Sequence, residues 1–534
     1  MSSNSRPGNE STSNRAEGQL RITGRAQATA PFRAYAVVVL VLGAVTACGC
    51  APKSLPPLAT PPVVEAHDGR IRDLQRDLAT ILDAPALRHG VLAVSVRSLT
   101  RGDQLFRYHA DTLVMPASNM KLVTLAVAAE RLGWDFTFET TIVTTGTLDS
   151  DGVLHGDLIL RGSGDPSLGV GDIHAEQTLD AWAQMLADEG IRRVDGRLIC
   201  DDQSIAGTGL GAGWSWDYLS AGYAAPVAGL QVNENAAQVT MTPGQAAGQA
   251  AGVVLSPPES GLTIVGTVTT VAAGSPISIS LERARGETVV RASGSVPLGP
   301  DVVRYVAVDR PALYAARMFA SALARHGIAV GDGIVPIYDV ATPAPLDATE
   351  TVRVRYQSPA LRQLAVTMMK NSSNLYAETF LAILGRAPGE PASFEGGRVA
   401  IGEQLTTWTV PANAVVVSDG SGLSRYDYVT TDAIVAILSR MYQDVRHKEP
   451  WLAALPVAGV DGTMRDRFKG SAAMGQVRAK TGTISNVRAL SGYVPSADGE
   501  WLAFSMIVNN VTAAGAEITS PIDQAVNRLA AFRR

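Results

Sequence analysis

The chain has 534 residues, too many for one hydrophobic core, so two to four domains are expected. Hydrophobic residues at 46%, charged residues at 18% and a net charge of −5 describe an ordinary globular protein without the basic excess of a nucleic-acid binder. Its three cysteines are Cys48, Cys50 and Cys200, so the body of the chain holds one thiol; a disulfide scaffold and a cysteine-rich zinc site are excluded.

In chain order, residues 1–33 are mostly polar, with Arg21, Arg25 and Arg33 as positive flanks. A short run rich in Val, Leu and Ala follows over 34–47 and ends in Val45-Thr46-Ala47-Cys48. That run is shorter than the ~20 apolar residues a spanning helix needs, so 1–48 reads as a secretory leader. Val-Thr-Ala-Cys is similar to the bacterial lipobox, which makes Cys48 a candidate lipidation site. Export to the periplasm or cell envelope is expected, with a lipid anchor holding the protein to a membrane. Segment 49–66, with Pro52, Pro56, Pro57, Pro61 and Pro62, reads as a stiff linker.

The body opens with a helix over 73–82, where Leu74, Leu78 and Leu82 recur at helical spacing, and a strand over 91–98. Pro116-Ala117-Ser118 then leads into a helix that runs to Leu132 and stops at Gly133. Segments 141–147 and 153–160 form a hairpin about the Asp149-Ser150-Asp151-Gly152 turn. Residues 233–300 alternate β-branched residues with Gly and Pro turns and read as a small β-rich module. Helical spacing returns over 310–326, and again over 361–384 with a break near Asn371. Strands at 489–494 and 501–509 and a helix over 521–533 close the chain. Helices around a late antiparallel sheet predict an α/β or α+β core, with the middle segment inserted.

Three short constellations carry chemistry. In Ser118-Asn119-Met120-Lys121, hydroxyl and amine share one helix face at i and i+3. A serine hydroxyl attacks only when a base takes its proton, and lysine serves only with a pKa lowered from ~10.4 by burial or a second cation. A helix N-terminus at Ser118 aims its N–H at a developing oxyanion. The others are Ser372-Ser373-Asn374 and Lys480-Thr481-Gly482-Thr483, the latter placed on or beside an edge strand. Each alone is ordinary: an exposed lysine on a helix, a polar cap, a strand end. Ser2-Ser3-Asn4 repeats the second tripeptide in the leader. In this order and context they are far more specific.

With Pro116-Ala117-Ser118-Asn119-Met120-Lys121-Leu122, Gly162-Ser163-Gly164-Asp165-Pro166, Trp214-Ser215-Trp216-Asp217, Asp419-Gly420-Ser421-Gly422-Leu423-Ser424-Arg425 and Asp461-Gly462-Thr463-Met464, the chain resembles the low-molecular-mass class C penicillin-binding proteins over roughly 70–530. These are active-serine D-alanyl-D-alanine carboxypeptidases and endopeptidases. The resemblance implies a transpeptidase/β-lactamase-like core of antiparallel sheet flanked by helices, built from 67–140 and 349–534. Two smaller domains are inserted, one from 141–232 with 301–348 and one, β-rich, from 233–300. It further implies that Ser118 attacks the bond between the terminal D-alanines and that Lys121 accepts its proton. Ser372 relays a proton to the departing amine, Asn374 holds substrate and Lys121, and Lys480 raises the positive potential. Thr481 and Thr483, about Gly482, grip the terminal carboxylate, and the Thr483 N–H joins that of Ser118 as oxyanion hole. Asp217 and Arg425 are the nearest matches for residues that bind the polar end of the peptide's diamino acid. The implied partners are peptidoglycan peptides and β-lactam antibiotics; neither cofactor, metal nor nucleic acid is implied.

Rival readings fare worse. There is no Gly-x-Ser-x-Gly elbow and no His-Glu-x-x-His, and none of the seven histidines falls in the serine motifs. No Glu-x-x-Asn-like segment lies between Asn374 and Lys480, as a class A β-lactamase would need. A decayed wall-binding scaffold would not be expected to keep Ser118, Lys121, Ser372, Asn374 and Lys480 together.

Overall fold

The computed structural model describes residues 69–340 and 350–534; the expected leader, Cys48 and the linker lie outside the described residues. The two ends of the described chain meet in one five-stranded antiparallel sheet, in the order Gln104–Tyr108, Val91–Ser98, Trp501–Asn509, Val487–Pro495, Arg478–Ile484. Alternation decides which side chain faces which layer. Leu92, Val94, Val96, Leu502, Phe504 and Met506 pack under the terminal helices Gly69–Leu82 and Gly515–Ala530, whereas Ala93, Ala503 and Ile507 face the larger helical layer. A sheet covered on both faces explains why the central strand 501–509 is almost wholly apolar.

The helical layer is built around Met120–Leu132, whose first ten residues are all buried. Packed against it are Asn374–Leu384, Phe394–Thr407 and Thr431–Gln443, with Leu361–Lys370 beside them. Fully burying each Leu, Val or Phe here contributes ~1.5–3 kcal/mol relative to exposure. The mixed α/β class and the helix-flanked antiparallel sheet are as expected. The last helix differs: it begins at Gly515, six residues before the proline expected to open it. Pro521 forfeits one helical hydrogen bond, but buried Ile518 and Ile522 anchor the turns on either side of it in the core.

Between Leu132 and Leu361 in sequence the chain builds a second body. A mixed sheet runs Ile334–Pro336, Leu198–Asp201, Leu158–Arg161, Glu139–Thr144, Thr351–Gln357. The expected hairpin is present but splits between two sheets, because Thr147–Leu148 pairs with Val153–His155 in a separate ladder. The split falls where Gly146 and Gly156 let the arms touch: a Cβ on Gly156 would lie 2.1 Å from the Thr145 carbonyl oxygen. Two three-stranded sheets form the β-rich part, one joining Gly252–Ser256, Ala236–Thr242 and Val302–Ala307, the other Thr263–Val271, Val289–Pro297 and Ser278–Glu282.

Strand pairing crosses the boundaries expected from sequence. Thr351–Gln357, drawn with the catalytic part, pairs with Glu139–Thr144, and Val302–Ala307 pairs into the β-rich part. Leu160, Leu198 and Phe319 share one apolar cluster with Val239, Val268 and Val296, so the two inserted segments bury a common core. A partner strand far away in the chain leaves no mark on local composition. Among the described residues no helix is long and apolar enough to cross a membrane.

Candidate active site

Ser118 lies in a single 3-10 turn, Ala117–Asn119, directly before the buried helix. Ala117 is left-handed (φ 47°), and its carbonyl lies against the backbone of Gly422. A Cβ on Gly422 would come within 1.8 Å of that oxygen, so only glycine permits this approach. One helical turn on, the fully buried Lys121 amine reaches three oxygens: Ser118 Oγ at 3.0 Å, Asn374 Oδ1 at 2.7 Å and the Ser421 carbonyl at 3.0 Å. Burial pulls its pKa down to about 8, although Asp419, Glu378 and Asp427 each act to raise it.

The edge strand Arg478–Ile484 forms the opposite wall. Asn119 Nδ2 donates to the Lys480 carbonyl at 3.0 Å and so ties the serine turn to this strand. Lys480 is also fully buried; its amine donates to Ser372 Oγ at 2.8 Å and to the Thr481 carbonyl at 3.0 Å. Burial, and then the nearby Lys121, hold the Lys480 amine well below the usual lysine range. Ser372 sits in the break between helices Leu361–Lys370 and Asn374–Leu384 with a left-handed φ of 59°. Asn374 faces both ways: its oxygen accepts from Lys121, and its nitrogen donates to the Tyr223 carbonyl at 2.8 Å.

Ser118, Ser372, Asn374 and Thr483 line one open cleft of about 660 Å³, with Tyr218 and Tyr223 from the inserted body on its rim. Lys121 and Lys480 sit beneath, joined to it by the bonds above. Thr483 is exposed, whereas Thr481 is half-buried and bonds Thr463 Oγ1 at 2.7 Å. Gly482 lets the strand pass the serine turn, since a Cβ there would lie 2.8 Å from the Pro116 oxygen.

Arg425 and Asp217 part company. Arg425 stands at the cleft edge, 3.4 Å from the Tyr218 hydroxyl and 3.5 Å from the Ser485 carbonyl. Asp217 instead lines a neighbouring cavity of about 920 Å³ with Arg283 and Arg285. On the tight turn Trp216–Tyr218, Asp217 lines that cavity beside Trp216, whereas Tyr218 lines the serine cleft.

Several residues of the site carry roles that the sequence motifs did not assign. Asp419 accepts from the N–H groups of Ser421 (3.0 Å), Gly422 (2.6 Å) and Ser424 (2.7 Å) and from Trp214 Nε1 (2.8 Å). Glu378 accepts from Gly420 and Ser421 N–H at 3.0 and 2.8 Å, and Asp427 from Ser418 N–H at 2.6 Å. Burial raises Glu378 to about 8 and, with Asp419 beside it, carries Asp427 well above the carboxylate range. These acids shape the loop that presents the Ser421 carbonyl to Lys121. Glu378 had a signal: it follows Asn374 by four residues on one helix face. Glu130, Asp444 and His447 also come together, but the Arg446 guanidinium already bonds both carboxylates.

The family model for D-Ala-D-Ala carboxypeptidase 3 (S13) matches residues 74–529. The chain belongs to that family. Its members are serine-type carboxypeptidases, the hydrolase class that the serine, lysine and asparagine motifs imply. Among S13 relatives, the D-alanyl-D-alanine carboxypeptidase of Actinomadura sp. (strain R39) is 35% identical over 490 residues, covering 90% of this chain and 87% of that protein. The D-alanyl-D-alanine carboxypeptidase DacB of Haemophilus influenzae is 25% identical over 431 residues, covering 79% and 86%. The crystal structure of penicillin-binding protein 4 (dacB) from Haemophilus influenzae has a similar fold, with a TM-score of 0.73 at 23% identity over 85% of this chain and 98% of that one.

Proposed function

We propose that the Ser118 cleft hydrolyses the terminal D-alanyl-D-alanine bond of peptidoglycan peptides through an acyl-serine. The observation that carries this reading is the buried Lys121 amine, 3.0 Å from Ser118 Oγ and with a pKa drawn down to about 8. Lys121 takes the hydroxyl proton as Ser118 Oγ attacks the penultimate D-alanine carbonyl. The N–H groups of Ser118 and Thr483 receive the oxyanion, and losing one such donor typically costs ~3–4 kcal/mol of transition-state stabilisation. Ser372 relays a proton: it gives its own to the departing D-alanine amine, and its oxygen, already accepting from Lys480, is reprotonated from the buried lysines, which pass on the proton Lys121 took. Water then enters, Lys121 and Ser372 run the steps in reverse, and the peptide acid leaves.

The exposed Thr483 and its neighbour Thr481 suit the terminal carboxylate, and Arg425 at the cleft edge suits the polar end of the diamino acid. A complex of the Haemophilus influenzae protein with a β-lactam supports β-lactams as partners of this cleft. The Val-Thr-Ala-Cys motif supports export and lipidation at Cys48, with 49–66 as spacer in the cell envelope. The catalytic part is read as 69–138 together with the residues after about 357, around the shared-core insertion.

Intact mass after mixing leaderless protein with benzylpenicillin tests the reading. A lasting adduct that Ser118→Ala lacks is expected. A rapidly cleared adduct would point to a β-lactamase, and no adduct on folded protein would sink the acyl-serine mechanism.

A further inference from the structure

Ser373, between the two proposed catalytic residues of its motif, behaves unlike other serines in its position. It is the N-cap of helix Asn374–Leu384, where a serine hydroxyl ordinarily accepts a backbone N–H, yet it makes no capping bond. Its hydroxyl instead donates to Glu234 Oε1 at 2.5 Å, although the whole residue is only 9% exposed. Glu234 belongs to the inserted body, so one short hydrogen bond joins that body to the catalytic loop.

The backbone on both sides of this bond is held in a conformation that side chains disfavour. Asn233, Glu234 and Asn235 are consecutively left-handed (φ 51°, 52°, 54°), and across the bond Ser372 is left-handed too. The two asparagines clamp the turn. Asn233 Nδ2 donates to the Tyr314 hydroxyl at 2.9 Å, and Asn235 Nδ2 donates to the Pro226 carbonyl at 2.8 Å and Gln231 Oε1 at 2.9 Å. With its neighbours anchored inward, the turn projects the Glu234 carboxylate at Ser373. The same body also gives the Tyr223 carbonyl to Asn374.

We infer that Glu234 is a positioning residue for the acyl-transfer step: through Ser373 it holds Ser372 and Asn374 in register with Lys480 and Lys121. This rests on the reading above, in which Ser372 passes a proton to the leaving amine. Without the Glu234 bond, the Ser373 hydroxyl is free to turn back onto the helix N-terminus. The left-handed Ser372 backbone then loses an external restraint, and its hydroxyl drifts from Lys480. The inserted body thereby serves catalysis without touching the scissile bond.

The test uses the leaderless chain with Glu234→Ala, Glu234→Gln, Ser373→Ala and the Glu234→Ala/Ser373→Ala pair. It measures D-alanine release and benzylpenicillin acylation. Glu234→Ala should lower kcat and the acylation rate by ~10–100-fold, the loss typical of a small misplacement, with KM moving less than about 3-fold. Glu234→Gln keeps an acceptor oxygen and should recover to within a few-fold of wild type. Ser373→Ala should match Glu234→Ala with Tm lowered by no more than about 5 °C, because one hydrogen bond but no cap is lost, and the pair should be no slower than either single variant. Should Glu234→Ala fail to fold, Ser373→Ala, which removes one hydroxyl, decides. Wild-type rates in a folded Ser373→Ala chain overturn the inference alone; a wild-type chain that never acylates overturns the acyl-serine reading and this inference with it.

Discussion

Asn374 Oδ1 accepts a hydrogen bond from the buried Lys121 amine at 2.7 Å, joining two motifs 253 residues apart in the chain. With Ser118 Oγ and the Ser421 carbonyl it takes up the amine's hydrogen-bonding positions, so Lys121 cannot swing away from the serine. Each acceptor comes from a different segment.

Lys121→Ala should therefore cost far more in rate than in stability. Removal of a positioned base typically costs ~10²–10⁴-fold, and the variant should fold with a smaller loss of stability, since Glu378 and Asp427 nearby are already raised in pKa and can go neutral. The second-order rate of benzylpenicillin acylation, read beside a thermal melt, checks this; near wild-type acylation would acquit Lys121.

The pH profile follows from the direction of the Lys121 shift. Only the free amine accepts a proton, and a pKa of about 8 lies below the ordinary lysine value because burial disfavours the charged form. Acylation should rise with pH through about 8 and level off above it. A rate flat between pH 6 and 9 would contradict a lysine base in this range.

Gly422→Ala places a methyl 1.8 Å from the Ala117 oxygen at a left-handed backbone position (φ +81°). No flexible side chain is available to yield. A loss of ~3 kcal/mol or more is expected from the strain and clash combined, seen as a lowered denaturation midpoint, together with slowed acylation of the fraction still folded.

Arg425 and Asp217 should separate in steady-state kinetics. Arg425 borders the serine cleft, so Arg425→Ala should lower kcat/KM about 10-fold for peptides with a charged diamino-acid end, in line with loss of a charge-assisted bond. Asp217→Ala, facing the neighbouring cavity, should stay within about 2-fold of wild type on the same peptides. Equal losses would return Asp217 to the cleft.

What was legible in the sequence is what short-range pattern encodes. Leu74, Leu78 and Leu82 announced a helix, the strands at 91–98 and 501–509 were bounded as observed, and the break at Asn371 marked the loop that carries Ser372. The i, i+3 spacing of Ser118 and Lys121 was legible too, but Ser118 stands in the 3-10 turn Ala117–Asn119 and only Lys121 on the helix that follows. Tertiary structure decided the rest, because its causes lie far apart in the chain. The pairing of Val302–Ala307 and Thr351–Gln357, the departure of Asp217 from the cleft, and the Glu234–Ser373 bond each depend on partners that no local window contains. So does the burial that sets Lys121 near 8: the amine is in the sequence, but the dry, crowded interior that lowers its pKa exists only once distant segments have packed around it.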